Sequence, residues 1–371
     1  MNRLPLFLGL SLSLLAACAP TSSSQETAQE ATSAPEAAGT LIYPGETHLA
    51  NVRQLTFGGD NAEGYFSFDD QYLTLQRTHE SEGIPCDQIY YGKLPASADE
   101  PFDMKLVSTG TGRTTCSFFM PDDQQIIFAS THTADEACPP APDRAKIRKY
   151  VWPIYATFEL FISDLEGNVL QQLTDNEYYD AEATLSPNKD PIVFTSTRNG
   201  DLDLYTMNVD GSNIQQVTFG LGYDGGAFFS PDGSKLIFRA SRPQTEEAQK
   251  EYKDLLAQGL VAPSDMELYV CNIDGSDLTK ITSLGKANWA PYFHPSGEKI
   301  IFSSNHASES GRQFNLYMIN VDGSGLEQIT FGEEFESFAM FSYAGDKLVF
   351  ASNRNNGGTR ETNLFIADWI D

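Results

Sequence analysis

Phe229-Ser230-Pro231-Asp232-Gly233-Ser234-Lys235-Leu236-Ile237-Phe238 is the stretch on which the fold turns. It holds a Phe, a tight-turn phrase and an apolar run, and it recurs in five further versions. These are residues 66–75, 119–128, 185–194, 293–302 and 341–350. With Pro231 as anchor, the equivalent positions are Phe68, Pro121, Pro187, Pro295 and Tyr343. The copies lie about 44 to about 66 residues apart, the period of a four-stranded propeller blade with variable loops. A unit of this kind cannot cover its own apolar face, so six copies must pack against one another.

Each repeat carries four strand signals. A short apolar strand ends at the Phe, and a Pro-Asp-Gly turn follows, in which Gly supplies the positive φ of a tight hairpin. A branched and aromatic second strand comes next, as in Leu236-Ile237-Phe238. The third strand alternates, as in Leu204-Tyr205-Thr206-Met207-Asn208-Val209, and ends in Asp210-Gly211-Ser212. Asp274-Gly275-Ser276 and Asp322-Gly323-Ser324 match it, and all three are read as hairpin turns rather than metal loops. The fourth strand is Gln216-Val217-Thr218-Phe219, repeated at Gln172-Leu173-Thr174 and Gln328-Ile329-Thr330-Phe331.

The ends of the array predict how the ring closes. Gln54-Leu55-Thr56-Phe57 is a fourth strand with no strands before it, and residues 363–368 form a third strand with no fourth after it. The chain is therefore expected to be an all-β, six-bladed propeller of four-stranded blades, closed by the N-terminal strand completing the last blade. That arrangement leaves no open edge in the final blade.

These repeats resemble the TolB-like family of six-bladed propellers, which carries the same Ser-Pro-Asp-Gly phrase followed by Leu-Tyr, Asp-Gly and Leu-Thr. The resemblance covers residues 51–371 and departs from the strict phrase at Phe68-Asp69-Asp70 and Tyr343-Ala344-Gly345. The repeat also occurs in prolyl-oligopeptidase-type propellers and in oligogalacturonate lyases, so it implies a fold and leaves the activity open.

The N-terminus reads as an export signal. Met1-Asn2-Arg3 is a short basic start, and residues 4–17 form an apolar core too short to span a bilayer. It stops at Leu15-Ala16-Ala17-Cys18, which resembles a bacterial lipobox, and this resemblance implies that Cys18 carries lipid. Three regions follow: a signal peptide at 1–17, a lipidated Cys18 with a disordered tether at 18–50, and the propeller at 51–371. Ala19 stands where Asp would signal inner-membrane retention in enteric lipoproteins, which points to the outer membrane, facing the periplasm or the surface.

A net charge of −27 argues against binding nucleic acid or anionic headgroups through bulk charge. Cys86, Cys116 and Cys138 are disulfide candidates whose pairing the sequence leaves open, whereas Cys271 is expected to be a buried thiol. No Gly-x-Ser-x-Gly elbow, His-Glu-x-x-His or phosphate-binding Gly-rich loop occurs. No catalytic residue is assigned, and the chemistry favours a binding module.

Strand alternation puts the insertions at residues 132–157, 242–263 and 353–362 on one face and the tight turns on the other. Within the second, residues 245–256 read as a surface helix. Long loops on one side of a rigid ring are where function gathers. That face is also predicted to carry a ring of His79, His132, Arg198, Arg242, His306 and Arg354, six residues past the start of each second strand. Opposite them stand Asn61, Thr114, Asp180, Asp224, Asn288 and Glu336, so each Arg meets an acid and each His a neutral partner. The histidines either fill the Arg position with a smaller ring or point into the tunnel mouth and bind a divalent metal or an anionic ligand. Two functions follow. One is a non-enzymatic envelope lipoprotein that binds a protein or peptide through its loop-bearing face. The other is a metal-dependent lyase, hydrolase or binding protein for an acidic polysaccharide, resembling oligogalacturonate lyase.

Overall fold

A computed structural model describes residues 41–143, 145–333 and 335–371. The signal-peptide and Cys18 assignments lie outside these residues. Six antiparallel four-stranded sheets follow one another along the chain. Blade 1 runs Asp60–Phe66, Tyr72–His79, Ile84–Lys93 and Met104–Leu106. Blade 2 is Thr114–Phe119, Gln125–Ser130, Glu159–Asp164 and Val169–Gln172. The first strands of blades 3 to 6 are Asp180–Leu185, Asp224–Phe229, Asn288–Phe293 and Glu336–Phe341. Each first strand packs against that of the next blade, the sixth against the first, so these strands line the axis. Leu49–Gln54 pairs antiparallel with Asn363–Trp369 as the fourth strand of blade 6, closing the ring as the sequence predicts.

The repeat phrase is legible as hydrogen bonds. Ser230 Oγ donates to Asp232 Oδ1 at 2.6 Å and accepts from Lys235 N at 2.9 Å, fixing the first hairpin. In the fourth-strand motif, Thr218 Oγ1 accepts from Leu204 N at 2.9 Å while Gln216 Nε2 donates to Thr218 O. Thr56, Thr174, Thr282 and Thr330 repeat that bond to the third strands of their own blades. The Asp-Gly-Ser segments are hairpin turns in which Asp Oδ1 accepts from Ser N and Ser Oγ. Blades are also stapled to each other. Asp123 accepts from Phe68 N and Asp69 N, and Asp70 accepts from Tyr343 N at 2.7 Å across the closure joint.

Two expectations need correction. The folded body takes in residues 41–50, assigned from sequence to the tether: Leu49 packs in the blade 6 core and Glu46 is buried beneath Arg354. Glu46 and the Leu41 carbonyl satisfy an arginine that blade 6 buries almost completely, which composition alone could not show. The turn-bearing face is also not uniformly tight, because residues 94–103 make a long third-to-fourth connection in blade 1.

Candidate functional site

The first strand of every blade carries a register shift against the second. At each shift one residue has positive φ: Glu63 (53°), Cys116 (41°), Glu182 (58°), Gly226 (58°), Ala290 (48°) and Phe338 (55°). All six stand five residues before the repeat anchor, so these bulges are part of the repeat. A bulge re-aims its side chain, and here the innermost strands aim inward. Glu63, Cys116, Glu182 and Phe338 line one cavity of about 340 Å³ on the loop-bearing side. Blades 1 to 3 contribute two acids and a thiol to the ring, and blades 4 to 6 contribute Gly, Ala and Phe.

Gly226 has a specific reason. A Cβ there would lie 1.9 Å from Arg239 Nη1, so only glycine lets this blade 4 side chain enter the axis. The Arg239 guanidinium pairs with the Glu182 carboxylate, bonds Tyr223 Oη at 2.6 Å and lies 5.3 Å from the Trp152 ring centroid. Glu182 also accepts from Thr195 Oγ1, Tyr223 Oη and Gly226 N. This acid is therefore fully engaged.

Glu63 is placed differently. Its carboxylate accepts a long 3.4 Å bond from Tyr65 Oη and bonds the Cys116 thiol, and among the described residues it has no ion-pair partner. Desolvation pushes its pKa up to about 7, against the pull of Cys116 and Arg239 and with the help of Glu182 and Asp87. Burial first, then Glu63 and Glu182, hold the Cys116 thiol well above its ordinary pKa. A thiol so held is a poor nucleophile.

Below these groups an aromatic layer closes the axis. Tyr65 meets Phe228 at 5.4 Å and Phe118 at 6.0 Å, and Phe228 meets Tyr292 at 5.2 Å. The loop-side cavity is therefore a blind pocket. A separate cavity of about 170 Å³ lies at the turn face, between anchor residues such as Pro187, Pro231, Pro295 and Tyr343.

The two long insertions roof the pocket together. Trp152–Pro153 of the first pairs antiparallel with Leu260–Val261 of the second. Trp152 stacks on Trp289 at 5.2 Å, and Trp289 stacks on Phe314 at 4.6 Å. Tyr150 stands 60% exposed at the rim. A Cys86–Cys138 disulfide fastens the first insertion to blade 1, leaving Cys116 and Cys271 as free thiols. In the second insertion Glu246–Leu256 is a helix capped by Thr245, whose side chain accepts from Ala248 N. Its Tyr252 hydroxyl bonds Asp201 of blade 3.

The predicted His/Arg ring has a different register from the one the sequence implies. Asp180 lies opposite Ser196, so Arg198 is two residues past the pairing and reaches back to Asp180 Oδ2 at 2.9 Å. Arg242 reaches Asp224 at 2.5 Å in the same way, and Arg354 pairs with both Glu336 and Glu46. His132 and His306 take the Arg place: each Nδ1 bonds the Oγ of Ser130 or Ser304 at 2.9 Å, and the rings rest on Phe161 and Tyr317. Burial lowers the pKa of both, further depressed at His306 by Lys286. The expectation that every His lacks an acid fails at His79, whose Nε2 lies 3.4 Å from Glu82. His79, His132 and His306 are each held by their own blade and are not brought together. Among the described residues no group of three or more His, Cys, Asp or Glu could hold a metal ion. The column six residues past the second-strand start braces the blade ends, and the column that lines the cavity stands five residues before the repeat anchor in the first strand. Its residue types differ in every blade but two, which is why the sequence repeat did not reveal it.

A closed ring of six four-stranded blades, with a blind roofed pocket on one face, defines the class of this molecule. Residues 154–260 match the family model described as the TolB beta propeller domain, and the fold is that of a TolB-like six-bladed β-propeller. The structure of a putative TolB from Agrobacterium tumefaciens is similar, with a TM-score of 0.54 at 17% identity over 86% of this chain and 97% of that one. An oligogalacturonate lyase from Vibrio parahaemolyticus gives 0.51 at 15% identity over 85% of this chain and 79% of that one. A chain of a nidogen/laminin complex gives 0.50 at 10% identity over 74% of this chain and 81% of that one. At these identities the likeness is one of fold alone. No curated protein matches the sequence significantly.

Proposed function

We propose that this chain is a non-enzymatic propeller of the bacterial cell envelope, held to the outer membrane by lipid on Cys18, that binds a protein or peptide partner through its loop-bearing face. The observation that carries this reading is the blind, aromatic-walled pocket on that face, roofed by a ribbon made from the two long insertions. Rigid scaffolds commonly place recognition in such loops and concavities. The anchor in this reading is the acyl chain that the lipobox-like Leu15-Ala16-Ala17-Cys18 would place on Cys18. The polysaccharide-lyase alternative rests on convergence of His79, His132 and His306, and each of these is braced within its own blade.

Two experiments test the proposal. Cys18→Ala is expected to release a folded, soluble protein from the membrane fraction, and retention there would contradict the anchor. Capture of a partner from envelope extracts is expected to be lost on deletion of residues 242–263 and weakened by Tyr150→Ala, which removes an exposed rim ring and the hydroxyl that accepts from Trp152 Nε1. Unchanged capture by both variants would contradict the face assignment.

A further inference from the structure

The charged groups lining the blind pocket can be paired off. Arg113 Nη1 lies 2.8 Å from Asp87 Oδ2, and Arg239 pairs with Glu182. Glu63 remains, a carboxylate in the same cavity that faces Arg239 but has no ion pair of its own among the described residues, since that guanidinium is taken by Glu182. Its backbone sits in the left-handed region at φ 53°, an unfavourable conformation for a glutamate that holds the side chain toward the axis. Tyr150, Trp152 and Tyr155 wall the same cavity, and aromatic faces attract cations.

We propose that this pocket receives a cationic side chain, a lysine ammonium or an arginine guanidinium presented by the partner, with Glu63 as its counter-ion and Tyr150, Trp152 and Tyr155 as its walls. This rests on the reading of the loop-bearing face as the partner-binding face, and it names the chemistry that face selects. An incoming cation supplies the charge that Glu63 lacks, and it meets a site from which much of the competing water is excluded. The net charge of −27 draws cationic partners toward the molecule. Stem methylenes of either side chain suit the aromatic walls, whereas an anion would face the uncompensated carboxylate.

The test is calorimetric titration of the full-length chain with Nα-acetyl-lysine methylamide, its arginine counterpart and the uncharged norleucine analogue. At least one charged amide is expected to bind roughly tenfold or more tightly than norleucine, the usual worth of a hydrogen bond to a charged group. Glu63→Gln, which keeps the side-chain shape, is expected to remove that preference. Tyr150→Ala should weaken the charged probe without altering the fold. Affinity should rise from about pH 6 to about pH 8, because the cation needs the ionised carboxylate. The groups facing Glu63 are Tyr65 on its own strand, Cys116 of blade 2, Glu182 of blade 3, Arg239 of blade 4 and Asp87 of blade 1. Of these, Glu182 and Asp87 are already ion-paired. Equal binding of charged and uncharged amides, or a Glu63→Gln protein that retains the charge preference, would overturn the assignment. If the amides fail while envelope capture still depends on residues 242–263, the pocket chemistry is wrong and the binding face stands. If the amides bind as expected and capture does not need those residues, the reverse holds.

Discussion

At the residue scale, Glu63 makes a stability claim with a definite sign. Its carboxyl is raised from 4.5 to about 7, so between those values the folded protein keeps a proton that the unfolded chain has lost. Stability should therefore fall as pH rises through that window, by on the order of 3 kcal/mol. Glu63→Gln abolishes the penalty. Thermal melts should show the variant above wild type near pH 8 and level with it near pH 4; a variant less stable at both would refute the burial argument. Gly226 makes the complementary case. Gly226→Ala places a methyl on the Arg239 guanidinium and a side chain at φ 58°, so it should cost at least about 2 kcal/mol. Denaturant titration checks this, and a near-neutral result would mean that Arg239 can leave the axis freely.

At the scale of elements, the arginine braces differ in how many acids they hold. Arg198 serves one buried carboxylate, Asp180, while Arg354 serves two, Glu336 and Glu46, the second from the segment that precedes the closing strand. Removing one partner of a buried pair costs about 3 to 5 kcal/mol, so Arg354→Ala should destabilise more than Arg198→Ala and should loosen residues 41–48. Hydrogen exchange over those residues is the check. The strands and turns were legible because their residue types recur: the Ser of the first hairpin accepts from the backbone N–H five residues on in blades 1, 4 and 6, and Gln-x-Thr makes the same Gln-to-Thr carbonyl bond in blades 2, 3, 5 and 6. The Arg-acid pairs were legible as partners, but their register was off by two residues, one of them contributed by a bulge that no residue type marks. The axial column escaped for a related reason. Glu63, Cys116, Glu182, Gly226, Ala290 and Phe338 share a backbone conformation and have no common chemistry. The ribbon joining the two insertions was equally hidden, because Trp152–Pro153 and Leu260–Val261 lie far apart in sequence and only the closed ring brings them together.

At the scale of the whole molecule, ring closure gives the two faces different work. The turn face is fastened blade to blade by Asp123 and Asp70, while the opposite face carries the insertions, the disulfide and the roofed pocket. That asymmetry is the basis for assigning binding to one side. Site-specific photo-crosslinking in the native envelope tests this most directly, with the reactive residue placed either at Tyr150 on the pocket rim or at Leu278 in a turn of the opposite face, both exposed. A specific protein adduct from position 150 and none from position 278 is the predicted result. An adduct from 278 alone would contradict the account, because the partner would then dock on the face that carries no pocket roof.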